Sequence, residues 1–447
     1  MKKDKSIGVG LLGLGVVGSG VAAVLLNKQS EIAQQIGCPL TLKKILVRSS
    51  YKSRAVKVDQ HLLTIDHQQI LNDPDIGIVV ELMGGYNPAL DYIEEALRKS
   101  KHVVTANKEV MAKHGADLLC LAETQGVSIS YEASVGGGIP LIAPLRQYLV
   151  ANKVSALYAI INGTTNYILT KMSKESVNFQ TALKSAQELG YAEANPANDI
   201  DGVDAAYKLS IMATLAFQAV VHPDDVYYDG ITRLTERDFR YAKELGYAIK
   251  LLAIGKEIDD AIEVRVHSTF VPEDFLLAKV DGVYNAVQIE GDLTGKVIFY
   301  GEGAGALPTA SSVTSDIIAA AYSINLGRQG ISKLILPQIK PIKPISDIET
   351  CYYLRMSIAD QPGIFAQIAQ ELGTHSISIS SVIQKESDAT TKTAEIVIMT
   401  HPAREQSMQQ ALDRIQELPV VKEIGNFIRV ETLEEDSWAK KRFVLAD

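Results

Sequence analysis

The chain has 447 residues, too many for one compact core, and about 150 residues per domain gives about three domains. Hydrophobic residues make up 47% and charged residues 22%, a globular balance that excludes a disordered or fibrous protein. Acids outnumber bases 53 to 44, and the resulting charge of −9 argues against nucleic acid as main partner, because phosphate binding needs a basic surface.

Ile7–Leu12 reads as a buried strand and Val16–Leu26 as a helix. Glycines 8, 10, 13, 15, 18 and 20 interrupt this apolar stretch, so no signal segment is expected. No apolar run approaches the roughly 20 residues of a bilayer span. Cys38, Cys120 and Cys351 suggest neither a disulfide framework nor a zinc site and fit a reducing cytosol. The expectation is a soluble, cytoplasmic protein with no membrane partner.

Strand signals follow at Leu42–Val47, Ile76–Glu81, His102–Thr105 and Val127–Tyr131, with helices from Pro88 to about Ser100 and from Lys108 to about Gln125. Continuous apolar strands alternating with helices predict a parallel sheet covered on both faces. Beyond Pro140 the rhythm changes. Leu141–Leu149 reads as a helix, Val154–Ile161 as a strand, and residues 162–166 as a polar turn. Helical spacing recurs at 177–190, 203–218 and 238–252, and strand patterns at Ile262–Phe270, Val283–Glu290 and Gly295–Tyr300. This mixture predicts an α+β domain, followed by a helix from Ala310 to about Ser323.

Pro337, Pro341 and Pro344 mark an extended linker. Beyond it, strand, helix, two strands, helix and strand between Tyr352 and Ile428 give the βαββαβ order of a ferredoxin-like domain. The boundaries expected are 1–140 for the doubly wound domain, 141–305 for the α+β domain, 336–349 for the linker, 350–432 for the ferredoxin-like domain and 433–447 for a tail.

Gly13-Leu14-Gly15-Val16-Val17-Gly18 fits the dinucleotide fingerprint, and it lies where the fingerprint must lie, after a strand and opening a helix. Gly13 makes the tight turn, Gly15 admits pyrophosphate to the backbone, and Gly18 lets helix and strand pack closely. Where NAD-selective sites carry an acid, the second strand is followed by Arg48, Ser49 and Ser50, which favours a 2′-phosphate and NADP. The bland alternative is a solvated loop arginine. Thr105-Ala106-Asn107-Lys108 occupies a strand's carboxyl end, where such sheets bind ligands. Lys108 there reads equally well as a cofactor or substrate contact and as a solvated surface lysine.

Glu132 through Pro140 leaves a strand through three glycines, a turn that offers oxygen ligands to a monovalent or hard cation or serves as a hinge. The densest polar segment runs from Gly190 to Lys208 and holds Glu193, Asp199, Asp201 and Asp204. Asp204 and Lys208, four apart, share one helix face. Carboxylates beside a lysine supply an ammonium anchor and a proton donor; an acidic loop with one routine pair is the plain alternative, and a metal cluster of the aspartates a third.

Together GLGVVG, TANK, YEASVGGGIP, INGTTNYI, GYAEANPANDIDGVDAAYKL and GEGAGALPTASSV resemble homoserine dehydrogenase with a C-terminal ACT domain, over nearly the whole chain. The resemblance implies reversible NAD(P)H-dependent reduction of L-aspartate 4-semialdehyde to L-homoserine, on the route to threonine, isoleucine and methionine. For the domains it implies dinucleotide binding by the first, with 306–335 returning to it, substrate binding and dimerisation by the second, and regulation by the ferredoxin-like one. It implies Lys208 and Lys108 as catalytic lysines, and Glu193, Asp199, Asp204, Gly163 and Thr164 as substrate contacts. Cofactor contacts carry over to Gly13, Gly15, Val16, Val17, Gly18, Arg48, Thr105, Lys108, Gly190 and Gly305. Glu132, with the carbonyls of Val135, Gly137 and Ile139, matches a sodium site.

Asp360-Gln361-Pro362-Gly363 resembles the loop of an ACT domain, implying an amino-acid effector, with threonine expected, and a homodimer or homotetramer. His375-Ser376-Ile377 lacks the asparagine often found before the second strand, which leaves the effector open. A semialdehyde dehydrogenase working through a thioester needs a cysteine nucleophile, and none of the three cysteines adjoins a polar constellation. A non-catalytic sensor is disfavoured by the carboxylates gathered with Lys208.

Overall fold

The structure, a computed structural model, describes residues 6–49, 56–327, 339–388 and 392–431. Ser50, residues 328–338 and the 433–447 tail lie outside the described residues. The chain divides into two units. One comprises Met1–Asn152, Tyr207–Asp224 and Phe299–Ile339, the other Lys153–Ala206, Asp225–Ile298 and Lys340–Asp447.

In the first unit β1 (Ile7–Leu12) is buried at every position, as its unbroken apolar run requires. It leads to α1 (Val16–Asn27), α2 (Gln29–Ile36), β2 (Leu40–Leu46), β3 (Leu63–Thr64) and α3 (Gln68–Leu71). Then come β4 (Ile76–Glu81), α4 (Ala89–Arg98), β5 (His102–Thr105), α5 (Lys108–Thr124) and β6 (Ile129–Ser130). The strands form a six-stranded sheet in the order β3-β2-β1-β4-β5-β6, parallel at every pairing. The order reverses at β1, so the carboxyl ends of β1 and β4 frame the switch point where doubly wound sheets bind nucleotides. Val9, Leu11, Ile45, Ile78, Val80 and Val104 are inaccessible to solvent and pack with Val21 and Ala22 of α1.

The second unit opens with β7 (Val154–Ile160), α6 (Gly163–Glu175), α7 (Phe179–Glu188) and α8 (Ala197–Ile200). Helix α9 (Val203–Ala216) begins in this unit and ends in the first, with the division after Ala206. Next are β8 (Tyr227–Tyr228), α10 (Glu236–Glu244), β9 (Tyr247–Ile258), β10 (Ala261–Pro272), β11 (Tyr284–Gly291) and β12 (Gly295–Glu302). Helix α11 (Ala306–Asn325) returns to the first unit and packs Val313 and Ile317 into its core.

The C-terminal module runs β13 (Glu349–Ala359), α12 (Ile364–Thr374), β14 (Ile379–Asp388), β15 (Thr393–Thr400), β16 (Ala403–Arg404), α13 (Glu405–Glu417) and β17 (Val421–Val430). Its strands lie in the order β17-β13-β15-β14, the ferredoxin-like arrangement. The sheet does not end there. Thr269 and Phe270 of β10 pair in parallel with Arg429 and Val430 of β17, joining both modules in one eleven-stranded sheet.

Charged side chains close this seam. Asp238 of α10, fully buried, accepts from Arg355 Nε at 2.8 Å, Asn426 at 2.9 Å and the Tyr353 hydroxyl at 3.2 Å. Glu395 of β15 takes Arg237 at 3.0 Å and the Tyr241 hydroxyl at 2.8 Å. The linker is held too: Ile262 and Lys343 exchange backbone hydrogen bonds with Pro341 and Ile262, and Lys340 and Lys343 pair with Glu257 and Glu263.

Three elements differ from the reading of the sequence. Helical spacing over 238–252 is a helix only to Glu244. Gly246, at a φ of +81°, stops it, and Tyr247 starts β9, whose run is apolar on both faces and so imitates helical periodicity. Residues 162–166 are the start of α6 rather than a turn, with the Asn162 side chain capping Thr165 N–H at 2.9 Å. Leu141–Leu149 yields one π-helical turn, Pro144–Tyr148.

Candidate active site

The first unit carries the nucleotide half of the site. Gly13 takes a φ of +107°, and a Cβ on Gly18 would stand 2.3 Å from the Gly13 carbonyl oxygen. Both positions therefore exclude side chains. A Cβ on Gly15 would meet nothing within 4 Å, so the N-terminus of α1 faces open space. No side chain caps α1 and no acid occupies its first turn, so N–H groups there suit a pyrophosphate. Val16 is 72% exposed beside them. Gly13 N–H donates to Leu46 O at 3.1 Å, which ties the turn to the end of β2, two residues before the exposed Arg48. Gly305, at a φ of +125°, precedes α11, whose Ala306 carbonyl lies 2.7 Å from where a Gly20 Cβ would stand on α1.

At the carboxyl ends of β4 and β5 the polar residues interlock. Glu81, fully buried, accepts from the Thr105 hydroxyl at 2.7 Å and from Met83 N–H at 2.8 Å. Burial still holds its carboxyl above the usual range, against those bonds. Asn107 caps α5 through Val110 N–H and donates to Gly85 O at 2.7 Å, fixing the half-buried Lys108 in the first turn.

The glycine loop lies in the same unit. The Glu132 carboxylate accepts from the N–H groups of Leu141 at 2.5 Å, Ile142 at 2.8 Å and Ala143 at 2.7 Å. That carboxylate is committed to the backbone, so a cation here would rely on the loop carbonyls of Glu132, Val135, Gly137 and Ile139. The Gly137 oxygen also accepts from the Ser312 hydroxyl at 2.7 Å. Beneath the loop, Asp316 of α11 accepts from Glu132 N–H at 2.9 Å. Burial pushes its carboxyl up to about 7, with the nearby Glu132 charge adding to the rise and Arg146 opposing it.

The second unit carries the carboxylates. Asn162 Nδ2 donates to Asp199 at 2.7 Å and to Asp204 at 2.9 Å, and Asp204 is buried. The Thr164 hydroxyl donates to Tyr191 O at 2.7 Å, binding the start of α6 to the 190–195 segment. Gln187 holds the backbone carbonyl of Glu193 at 3.1 Å, while the Glu193 side chain is exposed. Gly190 belongs to this unit, at the end of α7. Lys208, half-buried, follows Asp204 by one turn of α9. Among the described residues no group of three or more His, Cys, Asp or Glu is placed to hold a metal ion, which removes the reading of the aspartates as a metal cluster.

Glu81, Asn107 and Asn162 escaped the reading of the sequence. Glu81 had a signal, a carboxylate closing the otherwise apolar run IGIVVE, whereas the two asparagines look like ordinary helix caps. Cys38 and Cys351 are buried and Cys120 is exposed on α5.

A parallel sheet of this order with a glycine turn open to a dinucleotide, joined to a mixed sheet with an acidic cluster and an appended βαββαβ module, defines a Rossmann-type dinucleotide-binding protein with a ferredoxin-like C-terminal module. Three family profiles match: homoserine dehydrogenase, NAD binding domain, over residues 13–132; homoserine dehydrogenase over 140–318; and the ACT domain over 352–420. The chain belongs to the homoserine dehydrogenase family.

It is 41% identical over 428 residues to homoserine dehydrogenase of Bacillus subtilis, covering 96% of this chain and 99% of that one. With the enzyme of Synechocystis it shares 42% identity over 440 residues, 95% and 99% of the two chains. The crystal structure of a homoserine dehydrogenase from Thiobacillus denitrificans superposes with a TM-score of 0.90 at 40% identity, covering 96% and 98%. A hyperthermophilic archaeal homoserine dehydrogenase in complex with NADPH aligns at a TM-score of 0.60 and 27% identity, over 70% of this chain and 97% of that one. No described helix is long and apolar enough to cross a membrane.

Proposed function

We propose that the protein catalyses the reversible reduction of L-aspartate 4-semialdehyde to L-homoserine with NADPH, in the cytoplasm, on the route to threonine, isoleucine and methionine. The observation that carries the reading is the Asn162–Asp199–Asp204 cluster, with Lys208 one turn after Asp204 along α9, in a chain that is 41% identical to a homoserine dehydrogenase over nearly its full length.

The α1 N-terminus and Gly13, Gly15, Val16, Val17 and Gly18 hold the dinucleotide, with Thr105, Lys108, Gly190 and Gly305 completing its contacts. The exposed Arg48 favours the 2′-phosphate, and a relative described as an NADPH complex points the same way. When bound, the reduced nicotinamide supplies a hydride. Glu193, Asp199 and Asp204 take the substrate's α-ammonium, and Gly163 and Thr164 present backbone to it, which fixes the carbonyl for attack. Lys208 gives a proton to the carbonyl oxygen as it becomes the hydroxyl and takes it back in the reverse direction, with Lys108 assisting.

Glu132, with the carbonyls of Val135, Gly137 and Ile139, would hold a sodium ion, which would order the glycine turn. The same reading keeps the domain limits at 1–140 with 306–335, 141–305 and 350–432, with the protein a homodimer or homotetramer and threonine as the ACT effector. Homoserine-dependent reduction of NADP and of NAD, measured side by side with and without threonine, tests it. Turnover with neither nucleotide defeats the reading, and turnover with NAD alone defeats the role of Arg48.

A further inference from the structure

Asn162, Asn166, Thr170 and Lys174 recur every four residues from the cap of α6 along its length, one on each successive turn. Asn162 holds the two aspartates. The next three all reach one short segment, the turn from Val280 to Tyr284 that leads into β11. Asn166 is 2% exposed, and its Nδ2 donates to Val280 O and to Tyr284 O, both at 3.1 Å. One amide thus closes both ends of the turn. At its middle the Thr170 hydroxyl accepts from Gly282 N–H at 3.0 Å and donates to Asn166 O at 2.7 Å. Lys174 pairs with Asp281 at 2.8 Å.

The turn is held from a second side as well. Lys250 of β9, 3% exposed, donates to Val280 O at 2.6 Å and to the Asp281 carboxylate at 3.1 Å. Burial lowers the pKa of this ammonium against the pull of Asp281, the mark of a charge placed where solvation does not favour it. The orientation of the Asn166 amide is set by its partners, because reversed it would turn its oxygen toward two carbonyl oxygens. Its Oδ1 is then buried with no partner among the described residues. A buried ammonium and an unmet acceptor around one turn depart from what stability alone favours, and such departures concentrate at functional sites.

What the turn touches is the start of α6. A Cβ on Gly163 would stand 2.7 Å from Val283 O and 3.6 Å from Asn285 Oδ1. The nearer obstacle is backbone, so the turn and the first residue of α6 are in contact and the place of one sets the place of the other. We propose that Asn166 and Thr170 are positioning residues for the substrate: they fix the 280–284 turn, whose Val283 carbonyl sets where the Gly163 backbone meets it. Neither side chain needs to touch the substrate. The inference rests on the reading of Gly163 as a substrate contact. A contact made equally in ground and transition states lowers KM and leaves kcat alone, so its displacement is read in KM.

Steady-state kinetics of the full-length protein, with an NADPH titration and denaturant unfolding of each variant, tests it. Thr170→Val keeps the shape of a half-buried side chain and removes the hydroxyl. It should raise the KM for homoserine about fivefold or more, with kcat and the Kd for NADPH within a factor of about two. Thr170→Ser keeps the hydroxyl and should restore the wild-type KM. Asn166→Ala should raise KM at least as far as Thr170→Val. A packing role alone would lower the unfolding midpoint without moving KM, so less stable variants with a wild-type KM overturn the proposal. Failure of Thr170→Ser to restore KM overturns it too. Gly163→Ala separates the underlying reading: a raised KM there beside unmoved values for Asn166→Ala and Thr170→Val defeats the positioning and leaves the contact standing. Wild-type protein that never oxidises homoserine contradicts the proposed activity and takes this inference with it.

Discussion

The side-chain amide of Asn162 donates to Asp204 at 2.9 Å, and its second hydrogen reaches Asp199 at 2.7 Å. The oxygen of the same amide caps α6 through Thr165 N–H. One neutral residue thus sets where a helix starts and holds two carboxylates together. Asn162→Ala should raise the KM for homoserine at least about tenfold, leave the Kd for NADPH within a factor of about two, and cost about 1 kcal/mol from the lost cap. Steady-state kinetics with a nucleotide titration separates these effects. An unchanged KM would contradict the role given to the cluster.

Gly18 lies under the Gly13 carbonyl, where a Cβ would be only 2.3 Å from oxygen, and the obstacle is backbone with no flexible end to yield. Gly18→Ala should therefore push the nucleotide turn out of place and weaken NADPH by about tenfold or more. Fluorescence titration of NADPH reads this directly, and an unaltered Kd would show that the turn does not hold the nucleotide.

Arg355 and Asp238 meet at 2.8 Å inside the seam between the ACT module and α10. Arg355→Met strands a buried carboxylate and should cost about 3–5 kcal/mol in denaturant unfolding. Arg355→Met with Asp238→Leu should recover much of that loss, because the cost is the uncompensated charge. A single substitution costing less than about 1 kcal/mol would show the pair to be dispensable.

Asp316 has its carboxyl pushed up to about 7 by burial, from an unfolded value of 3.8. A folded pKa above the unfolded one stabilises fully below about pH 4, and this contribution is lost as pH rises through about 7. Relative to Asp316→Asn, the wild type should lose stability across that window, on the order of 4 kcal/mol in all, and then level off. Guanidinium unfolding at stepped pH measures the difference. A difference that stays flat, or one that grows in favour of the wild type, would mean that the carboxyl is charged in the fold.

The doubly wound sheet was legible because its strands are apolar on both faces and punctuated by helices; Ile76–Glu81 and His102–Thr105 have the bounds that periodicity gives them. The same two-sided burial misled at 247–252, where a strand interior and a helix offer equal apolar density. That Asp204 and Lys208 share one helix, α9, was readable because helix spacing is local. Asn162, 37 and 42 residues from its two partners, was not, since only tertiary folding creates the contact. The join between β10 and β17 was equally hidden: two residue pairs from strands far apart in sequence leave no pattern in either.

Lys208 bears the central claim, that a lysine ammonium and not a thiol or metal moves the proton. Homoserine oxidation by Lys208→Ala, followed through the absorbance of the reduced nucleotide alongside an NADPH titration, tests it most directly. The account predicts kcat lower by about 10²–10⁴ with the Kd for NADPH unchanged. Turnover near the wild-type rate would contradict it.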